Sequence, residues 1–179
     1  MNLIMARTKW AIDHNHSEVS FKVKHLIIST VTGNFEIFEG TFETETEELT
    51  KVKNLIFKAK VKSVNTNNVD RDKHLRSENF FASQQHPEIR FTANNFILKT
   101  GEIKGELSIR RTTKPVSFNV DYGLEVINPF GQTTIRMTAN GKISRRNFGL
   151  KWNSVTEAGN LLVGDQIKLI AQVQFIKQL

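Results

Sequence analysis

The chain has 179 residues, no cysteine and a formal net charge of +7. That length fits one domain, residues 1–179, with a substantial core. The lack of cysteine excludes a disulfide frame, a thiol nucleophile and a thiolate metal site. No apolar run approaches the length of about eighteen residues that a spanning helix needs, so no stable membrane insertion is expected.

Taken in chain order, Leu3-Ile4-Met5-Ala6 before Arg7 is too short for the apolar part of a secretion signal. Read as the native start, it predicts a cytoplasmic protein. Strands are expected near 8–13 and 18–26. In the second, Val19, Phe21, Val23 and His25 share one parity, and Ser20, Lys22 and Lys24 the other. A period of two marks a strand wetted on one face and covered on the other. A strand over 32–43 follows, with a parity slip between Phe35/Ile37 and Phe38/Phe42 that predicts a β-bulge. Leu55, Phe57, Ala59 and Val61 mark a strand over 53–64.

The stretch Asn65 to Pro87 breaks the alternation, and its asparagines suit the cap of a short helix from about Val69 to Glu78. Strands resume at 88–98, with a second slip between Ile89/Phe91 and Phe96/Leu98, and at 101–110, with Ile103, Leu107 and Ile109 inward. Lys99-Thr100-Gly101-Glu102 reads as the hairpin between them. Val116, Phe118, Val120 and Tyr122 mark a strand over 115–127, and Asn128-Pro129-Phe130-Gly131 reads as a turn. Ile135, Met137 and Ala139 lie in a strand over 132–143. Ser144 to Asp165 reads as a long loop, and a strand over 166–177 closes the chain. So many half-covered strands predict an all-β closed barrel, with the helix and the long loop as covers over its ends.

Thirteen phenylalanines stand against one tyrosine. Phe21, Phe57, Phe91, Phe118 and Phe175 all fall on inward parities, which suits a greasy interior rather than an exposed base-stacking platform. No nucleic-acid partner is therefore expected, although the charge permits anionic partners. The lysines spread over the outer strand faces read first as a solvated surface that discourages edge pairing.

The N-terminal pieces Trp10-x-x-Asp13-x-x-His16-Ser17 and Phe21-x-Val23-x-His25 are followed by Gly33-x-Phe35 and Phe38-x-Gly40. The middle carries Arg71-Asp72-x-His74-Leu75, Phe80-Phe81, Pro87-x-Ile89-x-Phe91, Gly105-x-Leu107 and Thr113-Lys114-Pro115. The end carries Arg145-x-x-Phe148-Gly149-Leu150-x-Trp152-Asn153, Glu157-Ala158-Gly159 and Val163-Gly164-Asp165. In this order and spacing they resemble the YceI-like family, from Trp10 to about Phe175. The resemblance implies an eight-stranded antiparallel, lipocalin-like barrel, often a homodimer, that holds a long isoprenoid or acyl chain. Many relatives are exported. Arg110-Arg111 departs from the family, which often has a less charged turn there.

Several motifs admit a plainer reading. His14-Asn15-His16 has the spacing of a metal pair, but nothing secures further ligands; His16 and Ser17 are expected to bond the turn backbone. His25, on an apolar face, needs a hydrogen-bond partner from the core or from a ligand head group. Arg71, His74 and Leu75 share a helix face, and Asp72 with Arg76 has the spacing of an exposed ion pair. No nucleophile elbow, phosphate loop or zinc-protease motif occurs, so no enzyme and no metal are expected.

The reading is a carrier, store or sensor of a long-chain lipid, whether polyisoprenoid, quinone-like or fatty-acid-like, with no other cofactor. Phe21, Val23, Phe57, Phe91, Leu107, Phe118 and Met137 are expected to line the tail cavity. His25, Arg71, Asp72, His74 and Arg145 are expected to border the head. Burial of an isoprene unit offers roughly 3 kcal/mol, against about 0.5–1.5 kcal/mol for one head-group hydrogen bond. The tail therefore sets affinity. The alternatives are a barrel filled by its own side chains, serving as a structural or interaction protein, a basic nucleic-acid-binding module, and, last, a metal-dependent enzyme.

Overall fold

The half-apolar segments pair antiparallel with their neighbours in sequence, and the last pairs back onto the first. The computed structural model describes residues 7–25, 28–45, 49, 51–153 and 163–179. Leu3 to Ala6, the end of the 18–26 strand and the Glu157-Ala158-Gly159 motif lie outside the described residues.

The strands are β1 Thr8–Ile12, β2 Glu18–His25, β3 Ser29–Phe35, β4 Phe38–Thr44, β5 Lys51–Lys60 and β6 Val64–Asn65. Helix α1 covers Val69–Arg76. Then come β7 Glu88–Ala93, β8 Phe96–Ile97, β9 Glu102–Ile109, β10 Thr112–Tyr122, β11 Val126–Ile127, β12 Thr133–Ser144 and β13 Val163–Lys177. The path β1-β4-β5-β7-β9-β10-β12-β13 returns to β1, which closes an eight-stranded antiparallel barrel. Closure removes the open edges that sheets otherwise expose.

Three of the barrel staves are bent rather than continuous. β1 and β2 are separated by a 3-10 turn at His14–His16, and β5 and β6 by another at Val61–Ser63. The 32–43 segment, expected as one bulged strand, is two: β3 pairs with β2, and β4 with β1 and β5. A bulge would leave a strand in one ladder. Here the neighbours bend at the same level, so the whole corner turns together. His14 Nε2 meets the Glu36 carbonyl at 2.6 Å, Glu36 N donates to Ser63 O at 3.1 Å, and Lys60 N to Ile37 O at 2.8 Å.

At the second slip β7 ends at Ala93 and β8 begins at Phe96, while β5 runs on beside them with a register shift against β4. Asn54 and Asn95 take positive φ, 51° and 54°, and Asn94 Oδ1 accepts from both their backbone N–H groups. Asparagine tolerates that left-handed region better than most residues. Two further differences are plain. β13 starts at Val163, inside the expected loop, and Tyr122 is exposed although its parity points inward.

The end away from α1 is packed shut. Trp10 stacks on Phe42, with ring centres 5.8 Å apart, and Phe175 meets Phe42 edge-on at 4.7 Å. At the other end α1 is capped by Asn68, whose side chain accepts from Arg71 N at 2.9 Å. Asp70 and Asp72 in its first turn suit the positive end of the helix dipole.

Candidate functional site

Between the packed end and α1 lies a cavity of about 570 Å³, lined by residues from all round the barrel. That volume is in the range of small-molecule sites. Phe21, Val23, His25, Phe57, Arg71, His74, Phe91, Leu107, Phe118, Met137 and Arg145 line it; Asp72 does not. Val23, Phe57, Phe118, Ala139 and Leu169 are half-buried and also line the cavity.

Glycines on the inner face keep the rings off the barrel axis. A Cβ at Gly33 would stand 2.4 Å from Cζ of Phe21, and one at Gly105 would stand 2.6 Å from Cζ of Phe91. Each ring thus lies over a neighbouring strand that has no side chain beneath it. Phe91 and Phe118 meet edge to face at 4.9 Å across the intervening β9, along the wall. The shelves were readable in the sequence. Gly33 shares the parity of Val31 and Phe35, and Gly105 that of Ile103 and Leu107.

Polar groups gather at the α1 end. Arg71 donates from Nε to Thr66 Oγ1 and from Nη2 to the Thr66 carbonyl, both at 2.8 Å. Asp72, expected at the head-group border, is instead buried, and its carboxylate accepts from Thr66 N at 2.9 Å and from Thr66 Oγ1 at 2.6 Å. It locks the entry to α1 because the capped helix turns position 72 toward Thr66 and away from the hollow. The expected Asp72–Arg76 ion pair is not formed.

Arg145 is fully buried and serves the chain itself. Its guanidinium donates to the carbonyls of Leu150, Trp152, Gly164 and Val163 at 2.6, 2.8, 2.8 and 3.1 Å. Burial pulls its pKa below the ordinary arginine value, Arg146 adds to that, and Asp165 opposes it. Beside it, the Asp165 carboxyl lies below its usual range, chiefly because the Ser144 hydroxyl donates to it at 2.6 Å. The Arg146 backbone N–H, at 3.2 Å, acts in the same direction.

His74 packs edge-on against Trp152, ring centres 4.4 Å apart, and so joins α1 to the segment after β12. Its Nε2 is buried with no hydrogen-bond partner among the described residues. Phe80, Phe81, Leu150 and Trp152 also line the cavity and went unassigned from sequence, because they sit in the covers where no strand parity marks an inner face.

The His14-x-His16 pair is split by its turn. His14 stacks on Phe38 at 4.7 Å, and His16 Nδ1 meets the Asp13 carboxylate at 2.6 Å. Ser17 Oγ donates to Asp13 O and accepts from Gln174 N, which ties the turn to β13. Among the described residues no three His, Asp or Glu side chains are grouped as metal ligands would be.

The profile of the YceI-like domain matches residues 10–175. A UPF0312 protein of Staphylococcus epidermidis is 31% identical over 169 residues, covering 94% of this chain and 97% of that one. The YCEI protein of Campylobacter jejuni is similar in structure, with a TM-score of 0.69 at 26% identity over 87% of this chain and 90% of that one. A polyisoprenoid binding domain from Saccharophagus degradans has a TM-score of 0.68 at 13% identity, covering 94% of this chain and 98% of that one. With the profile match running almost from end to end of a barrel of the same shape, the chain belongs to the YceI-like domain family.

Proposed function

We propose that the protein is a non-enzymatic carrier or store for a long-chain isoprenoid or fatty amphiphile, held tail-first in the barrel. The observation that carries this reading is the apolar hollow of about 570 Å³, kept open by rings folded onto glycines. At about 30 Å³ for a water-sized group, which is close to a methylene, it has room for on the order of twenty chain carbons. The fold shared with a polyisoprenoid binding domain supports the same reading. The tail sets affinity through buried area, and the polar groups at the α1 end set direction. A homodimer belongs to the reading, and a monomeric mass in light scattering removes that part alone.

Native mass spectrometry of protein purified without detergent tests it, with a bound lipid as the expected result. Delipidated protein that ignores polyprenols, quinones and fatty acids alike ends the proposal. Shortening the tail of a bound ligand is expected to weaken binding more than His25→Ala does.

A further inference from the structure

Among the described residues that line the cavity, only Asn68 and Asp70 are exposed, so the hollow reaches solvent beside the first turn of α1. Among the described residues, two large apolar side chains stand exposed at this end. Ile28, at the β2–β3 turn, is 94% exposed, and Val69, the first residue of α1, is 81% exposed. β3, which begins after Ile28, pairs at its other end with β6 just before α1, and β2 ends at His25, which lines the cavity with Asn68 and Asp70, so both segments belong to this end of the barrel.

The same end is basic. Lys24, Lys73, Arg111, Arg146 and Lys151 are exposed there. Val163 pairs with His25, next to Lys24, and Arg110 reaches the Gly149 carbonyl, which brings the β9–β10 turn to the same rim. The acids at this end are fewer or engaged. Asp70 and Glu78 are exposed, Glu88 is paired with Lys60, and Asp165 lies 3.9 Å from Arg146.

The far end carries a more apolar tip, the hairpin with Leu124, Val126, Ile127 and Phe130. Asp121 and Glu125 are exposed in that hairpin, which an anionic surface repels. Arg7, Lys9, Lys51, Lys99 and Arg136 are also exposed toward that end, so the two apolar patches differ in the acids within the hairpin itself and in the opening beside α1.

We propose that the α1 end docks on an anionic bilayer. Ile28 and Val69 enter the headgroup region, the surrounding lysines and arginines lie on lipid phosphates, and a lipid passes through the opening beside α1. Apolar tips set among basic residues are the composition of an interfacial membrane contact. The passage of lipid rests on the carrier reading; docking by itself does not.

Co-sedimentation of the whole chain with phosphatidylcholine vesicles, with and without phosphatidylglycerol, tests the docking without any bound ligand. Binding is expected only with phosphatidylglycerol, and it weakens as salt is raised. Lys24→Ala and Lys73→Ala should each lower the partition coefficient about fivefold, since a surface lysine contributes about that factor. Ile28→Ser with Val69→Ser should lower it further, while circular dichroism stays that of the parent. Equal binding to both vesicles overturns the proposal. So does loss of binding in Leu124→Ser with Phe130→Ser while the α1-end variants still bind. Binding to a single-stranded oligonucleotide but to neither vesicle replaces the bilayer with nucleic acid. Failure to sediment, with a lipid still found by native mass spectrometry, removes docking and leaves carriage standing.

Discussion

The ring of Phe118 lies on the bare backbone of Gly141: a Cβ built there would be 2.8 Å from both Cδ1 and Cε1. Phe118 is on β10 and Gly141 on β12, strands that pair directly. The ring therefore covers the wall beside it and leaves the centre of the barrel clear. Gly141→Ala is expected to turn the ring inward. Stability should fall by about 1–3 kcal/mol from overpacking, and the amount of co-purified lipid, read by native mass spectrometry, should drop. Phe118→Leu in the same chain should restore both, because a smaller side chain no longer needs the shelf.

Ala139 lines the hollow, and filling it separates an empty barrel from a solid one. In a packed core Ala139→Phe would cost about 1–3 kcal/mol or more. In a hollow, the new ring gains burial and the melting temperature holds or rises. Binding of a fluorescent fatty acid should fall at the same time. A strongly destabilised variant would show that the space is not there.

Arg145 gives its donors to four backbone carbonyls on the segments that flank the start of β13. Arg145→Met leaves those buried acceptors without partners and should cost about 3 kcal/mol or more in urea denaturation. Arg145→Lys should recover little, since one ammonium does not span the fan of acceptors that a guanidinium reaches.

Asp165 supplies an acid-side prediction. Its folded pKa is lowered by the Ser144 hydroxyl first, then by the Arg146 backbone N–H. A lowered carboxylate adds stability that is fully present above its unfolded pKa and is lost as pH falls through the folded one. Asp165→Asn should therefore lower the melting temperature at neutral pH, and the gap to the parent should close below the ordinary carboxylate range. The side chain is 42% exposed, so the effect should stay within about 1 kcal/mol. A gap that widens in acid would contradict the assignment.

The inner face was legible along most of the unbroken alternation, with Tyr122 at the end of β10 the exception. Ile103, Leu107 and Ile109 on β9, and Ile135 and Met137 on β12, are buried as their parity demands. It failed at breaks. Phe35 and Phe38 are both buried across an interruption that sequence read as a single bulged strand, because the bend is held by Ser63 and Lys60 from a different stave. The polar end was harder still. His25, Arg71, Asp72, His74 and Arg145 are expected together at the head, yet Arg71 and Asp72 are occupied with Thr66, and Arg145 with backbone carbonyls. Charge in a sequence does not say which side chains find partners inside the protein.

A closed all-β architecture with an apolar inner face followed from the alternation alone, since a period of two needs only chain geometry and the transfer of hydrocarbon from water; the count of eight strands came from the resemblance to the YceI-like family. Whether the lumen stays hollow was settled in three dimensions. It depends on which glycine falls beneath which ring in the next strand, and that register exists only after the ladders have formed.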